Sequence, residues 1–106
     1  PLGSCPEVPE DTLEAYAIVA AMGPTYLWYQ LYQLIDLGCQ FGLARESAAA
    51  AVGAMLDGAS ATMHESGLTP EGVMDLIPVK PLAPIEQTVK DAYGHTLAEL
   101  YRKLRG

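Results

Sequence analysis

An all-α fold is predicted by three features of this chain. No segment alternates apolar and polar residues at the period of a strand. Apolar residues recur instead at helical spacing, and Gly or Pro pairs mark where one such pattern gives way to the next. Half of the 106 residues are apolar and only 18% are charged, which is the composition of a globular domain rather than of a disordered chain. Size scaling gives roughly 5,700 Å² of folded surface, with about 65% of the unfolded chain's surface buried. That suffices for one helical bundle of about five helices around a modest core.

The elements follow in order. Pro1-Leu2-Gly3-Ser4 reads as the remnant of a cleaved affinity tag, so the natural segment is expected to begin near Cys5. Pro9-Glu10-Asp11-Thr12 opens a helix, with acids facing the positive end of its dipole. Leu13, Tyr16 or Ala17, and Ala20 continue it until Gly23-Pro24 ends or bends it. From Thr25 to about Leu37, Tyr26, Leu27, Trp28, Tyr29, Leu31, Tyr32, Leu34 and Ile35 cover nearly the whole circumference, so this helix must be buried on more than one side. Gly38 and Gly42 supply stop and turn positions. Arg45-Glu46-Ser47 leads into Ala48 to Ala51 and a helix reaching about Ser66, closed by Gly67. Gly53 and Gly58 in its interior each cost up to about 1 kcal/mol against Ala, which close approach of another helix would offset. Thr69-Pro70-Glu71 opens a short helix that stops by Ile77. Three prolines between Pro78 and Pro84 demand an extended connector. A last helix from Ile85 to about Leu104 carries the stripe Ile85, Val89, Ala92 or Tyr93, Leu97, Leu100 and Leu104.

Thirteen acids against six bases give a net charge of −7. Nucleic acid is excluded as a partner, because phosphate binding needs clustered Lys and Arg. The basic group Arg102, Lys103 and Arg105 is expected to complement a helix C-terminus. Cys5 and Cys39 form no framework, and reduced thiols in a cytoplasmic protein are expected. His64 and His95 lack a second ligand at helical spacing, so no metal is expected. The apolar run Ala15 to Leu34 is broken by Gly23-Pro24 and followed by Gln30 and Gln33 within its second half, which argues against a membrane span. Tyr26, Trp28, Tyr29 and Tyr32 can be read as an aromatic cage, but helical spacing sends them to different faces and favours core and interface packing.

Ala20-Ala21-Met22-Gly23-Pro24-Thr25-Tyr26, then Asp36-Leu37-Gly38, Gly42-Leu43-Ala44-Arg45-Glu46, His64-Glu65-Ser66-Gly67 and Pro70-Glu71 form a specific succession. Over about Leu13 to Ile77 it resembles the C-terminal dimerisation domain of the pyrroline-5-carboxylate reductase family. The resemblance implies a helical domain of the 6-phosphogluconate dehydrogenase C-terminal type over residues 5–106, interlocked with a second copy in a two-fold homodimer. It also implies an active site completed by this domain, with NAD(P) held on a separate N-terminal nucleotide-binding domain. No GxGxxG stands in this chain, so it is expected to bind no cofactor and to catalyse nothing alone.

By the same resemblance, the substrate-side positions are Met22, Gly23, Pro24, Lys80 and Ala83. Tyr26, Tyr29, Gly53, Met55, Gly58, Ala59 and Met63 are the dimer and helix-packing positions. The family's Ser-Pro-Gly-Gly-Thr-Thr loop reads Val79-Lys80-Pro81-Leu82-Ala83-Pro84 here, which removes two hydroxyls and the flexible glycines. Lys80 is a candidate for holding a carboxylate or phosphate. A reductase with another substrate, a noncatalytic relative and a self-standing helical protein-interaction module all fit these residues.

Overall fold

The structure is a computed structural model that describes residues 10–106; Pro1-Leu2-Gly3-Ser4, for which a tag origin is expected, and Cys5 and Pro9 lie outside the described residues. Every regular element among them is helical. The helices are α1 (Leu13–Tyr16), α2 (Gly23–Gln40), α3 (Arg45–Glu65), α4 (Pro70–Met74) and α5 (Ala83–Arg105). They divide into two units, one of Pro1–Tyr26 with Leu82–Gly106 and the other of Leu27–Pro81, so that the boundary falls inside α2.

In the first unit a single 3-10 turn, Glu10–Thr12, leads into α1, which loosens into a π turn at Ala17–Ala21. The wider turn is closed by Met22 N donating to the Ala17 carbonyl at 2.8 Å. The corner at Gly23-Pro24 then starts α2, because Pro in the first turn forfeits no helical hydrogen bond. Thr25 secures the corner, its N and Oγ1 both donating to the Met22 carbonyl at 3.0 and 2.6 Å. The Tyr26 hydroxyl donates to the carbonyl of Ile18, the buried residue of this unit. The Tyr26 ring meets Tyr93 edge to face at 5.8 Å, a geometry worth about 0.5–1.5 kcal/mol beyond area burial.

The last helix begins two residues earlier than the prolines suggest. Ala83 and Pro84 form the first turn of α5, and Ile85 N donates to the Leu82 carbonyl at 2.9 Å. The expected extended connector therefore ends in a turn at Pro81 and Leu82. Pro84 fits inside the helix for the same reason that Pro24 does. At the other end, Arg105 Nη1 donates to the Asp11 carbonyl at 2.8 Å and to Glu14 Oε1 at 3.2 Å. Part of the basic terminal cluster thus ties α5 to the start of the chain.

In the second unit α2 and α3 form a hairpin at its turn alone, meeting there and not along their lengths, and α4 follows and meets α3. Gly38 does not stop α2, which runs on to Gln40. Its missing Cβ makes room instead: one built there would lie 3.1 Å from Ala48 Cβ and 3.3 Å from Leu43 Cδ1. The break comes at Gly42, whose φ of +107° disfavours any side chain. Leu43 N returns to the Gly38 carbonyl at 2.9 Å, and α3 starts after an extended Ala44. Gly67, at φ +75°, follows the end of α3. Thr69 caps α4, its Oγ1 accepting from Gly72 N at 3.1 Å.

Only Ile18, Ile35 and Ala48 form the buried apolar core of the described residues.

Candidate functional site

The helices α2 and α3 approach each other at the turn between them. Ile35 and Ala48 are buried there, and Arg45 Nη1 lies 2.9 Å from Asp36 Oδ1 across the turn. The hydrogen bond to Asp36, and then its charge, raise the Arg45 pKa further above its ordinary value.

Burial falls away from that end along both helices. On α2 the face that carries Ile35 continues through Leu31, half-buried, to Trp28, 58% exposed. On α3 the face of Ala48 continues through half-buried Val52 to Met55, Ala59 and Met63, all exposed. These positions share a face because three- and four-residue steps return nearly to the same side of a helix.

The face is also free of charge. α2 carries a single charged residue, Asp36. Between Glu46 and Glu65, α3 carries Asp57 alone, and nine residues beyond Ala48 is about half a turn away, on the opposite side. An apolar helix face this long and this uncharged has the composition of an interface centre, where charged residues are depleted.

Among the expected packing positions, Tyr29, Met55, Ala59 and Met63 are exposed and accessible to a partner. Tyr26 is engaged inside the chain by Ile18 and Tyr93. Nothing lies within 4 Å of a Cβ at Gly53 or Gly58, so the close approach expected there has no source within the chain. The two glycines also lie about 140° apart around α3 and cannot serve one neighbour. The intrachain close approach is at Gly38, legible only once the hairpin is known. Trp28, Tyr29 and Tyr32 are 58%, 66% and 61% exposed, so the all-round apolar helix is not buried by its own chain.

The substrate-side candidates do not form one cluster within a unit. Met22, Gly23, Pro24 and Ala83 belong to the first unit and Lys80 to the second. The Met22 carbonyl is taken by Thr25, and Ala83 opens α5. Lys80 Nζ sits 2.9 Å from Asp75 Oδ1; its charge is matched locally, a partner the proline-rich context did not reveal. Around it Ile77, Val79 and Leu82 are 69%, 73% and 65% exposed, giving the segment an apolar rather than hydroxyl-rich surface.

Among the described residues no three His, Cys, Asp or Glu side chains gather as a metal site, and no helix is long and apolar enough to cross a membrane. No curated protein and no solved structure matches the chain. The family model described as pyrroline-5-carboxylate reductase dimerisation matches residues 10–80, enclosing the motifs from Leu13 to Ile77 and the whole of the α2–α3 hairpin. With more than half of the chain matched and every element of that stretch helical, this chain belongs to the pyrroline-5-carboxylate reductase dimerisation family.

Proposed function

We propose that this chain is the self-associating, active-site-completing half of an NAD(P)-dependent reductase. It acts as a cytoplasmic homodimer, with the cofactor held on a separate N-terminal nucleotide-binding domain. The observation that carries this reading is the exposure of large apolar residues on both α2 and α3, Trp28, Met55 and Met63 among them, in a chain of the dimerisation family. A stable two-fold dimer buries about 800 Å² or more from each partner.

In this reading the dinucleotide is held on the separate domain and not by this chain. Its phosphates are commonly held where a strand turns into a helix, and the described residues contain helices alone. The chain's own contribution is therefore to position walls and exclude water around a site whose nucleotide half lies elsewhere. Sedimentation of the chain at micromolar concentrations is expected to show a dimer; a monomer up to high micromolar would overturn the reading. With the nucleotide-binding domain joined, oxidation of NADH or NADPH by a cyclic imine is the activity to assay.

A second reading is favoured by the Val79–Pro84 segment: a noncatalytic relative that keeps only the interaction role. Lys80 is paired with Asp75 and the neighbouring surface is apolar, so this segment offers few free polar groups to a small ligand. A dimer with no oxidation of either cofactor across a panel of cyclic imines and related carbonyl compounds would decide for it.

A further inference from the structure

Two donors compete for one carbonyl at the corner that leads into α2. In an α-helix Met22 N would donate to the carbonyl of Ile18, four residues back. It donates instead to Ala17, five residues back, at 2.8 Å, and the Ile18 carbonyl accepts from the Tyr26 hydroxyl. The hydroxyl of a residue on the first turn of α2 thus stands in for the amide that the π turn takes away. Ile18 is 5% exposed, and a carbonyl on so buried a residue must find a partner within the protein. Ala17 is half-buried, so its carbonyl loses less on exchanging a protein partner for water. Single π turns of this kind are frequent at functional positions.

We propose that this corner has two settings and that α5 selects between them through the contact of Tyr93 with Tyr26. In the first, which the structure shows, Met22 N serves Ala17 and the Tyr26 hydroxyl serves Ile18, so both carbonyls are satisfied. In the second, Met22 N moves to Ile18, the π turn tightens into α-helix, and the Ala17 carbonyl turns to water. Tightening takes one residue out of the turn, which re-aims Met22 and Gly23-Pro24 by about 100° around the axis of α1. The reach of Tyr26 to Ile18 is fixed by its ring, which meets Tyr93 edge to face at 5.8 Å and 75°. α5 also packs on α1, so both sides of the corner rest on one helix. Tyr26 is therefore a positioning residue for the corner, and Tyr93 holds it in place. Every group involved lies in the first unit, and neither self-association nor reductase activity is required.

Nuclear magnetic resonance of the isotope-labelled chain tests this, because scalar coupling across a hydrogen bond identifies the acceptor of Met22 N directly. The wild-type chain is expected to couple Met22 N to the Ala17 carbonyl; coupling to Ile18 would overturn the proposal. Tyr26→Phe keeps the ring and removes only the hydroxyl, and should move the coupling to Ile18. Tyr93→Leu leaves that hydroxyl in place, so it carries the test even where Tyr26→Phe fails to fold, and should split the coupling between Ala17 and Ile18. Tyr93→Phe keeps the ring contact and should match the wild type. Coupling that stays on Ala17 in Tyr26→Phe would show that the hydroxyl does not hold the π turn. A Tyr93→Leu chain of lowered denaturation midpoint whose coupling stays on Ala17 would reduce Tyr93 to a packing role and overturn the selection by α5.

Discussion

At the scale of single residues, glycines divide by what their missing Cβ makes room for. Gly38 is filled from across the hairpin by Ala48 and Leu43, whereas Gly94, inside α5, has nothing within 4 Å. Replacement by alanine is therefore expected to act in opposite senses. Gly94→Ala gains helix propensity and should stabilise the chain by about 1 kcal/mol. Gly38→Ala gains the same propensity, but its Cβ meets the Ala48 Cβ at 3.1 Å, and a methyl fixed to a helix backbone cannot rotate away. The helices must separate, and a net loss of about 1 kcal/mol is expected from overpacking. Urea denaturation of the two variants measures both signs. The sequence reads Gly38 as a stop, and only the structure shows that it lies inside α2 with Ala48 against it.

At the scale of elements, caps and turns were the most legible features. Thr69-Pro70-Glu71 predicts a capped helix, and the Thr69 hydroxyl accepts from Gly72 N as that pattern requires. Thr69→Ala is expected to cost about 1 kcal/mol, read from the midpoint of chemical denaturation, while Thr69→Ser should restore most of it. Element ends were less legible where Gly or Pro can take two roles. Pro84 was read as part of an extended connector and stands in the first turn of α5; Gly38 was read as a stop and stands inside α2. In each case the residue's local geometry permits both states, and what decides is whether a neighbouring helix needs the space or the turn. The ion pairs Arg45–Asp36 and Lys80–Asp75 escaped the sequence for a related reason, since charge pairs across a turn depend on how the chain reverses there.

At the scale of the whole molecule, the central fact is a chain that is half apolar yet buries only three apolar residues among those described. A chain completed by a copy of itself gains stability by mass action. Its thermal midpoint is therefore expected to rise with protein concentration, which calorimetry across a hundredfold range would test; a midpoint independent of concentration would show that the chain is stable alone. Of the packing positions the sequence points to, Tyr29, Met55, Ala59 and Met63 are exposed and Gly53 and Gly58 lie on different sides of α3; spacing places a residue on a helix face, and what covers that face depends on segments or chains far from it. Tyr26 is held within the chain.

The sequence by itself determined that this protein is helical, where most of its helices begin and end, and which family it belongs to. The helices and their ends rest on local backbone preferences, Gly and Pro geometry and the periodicity of apolar residues, all of which act over a few positions, and the family rests on the succession of motifs that its model matches over residues 10–80. The tertiary structure decided which apolar residues are covered and which are left open. Burial depends on where distant segments meet, so only the tertiary structure shows that α2 and α3 meet at their turn and not along their lengths, which leaves Trp28 and Met63 exposed.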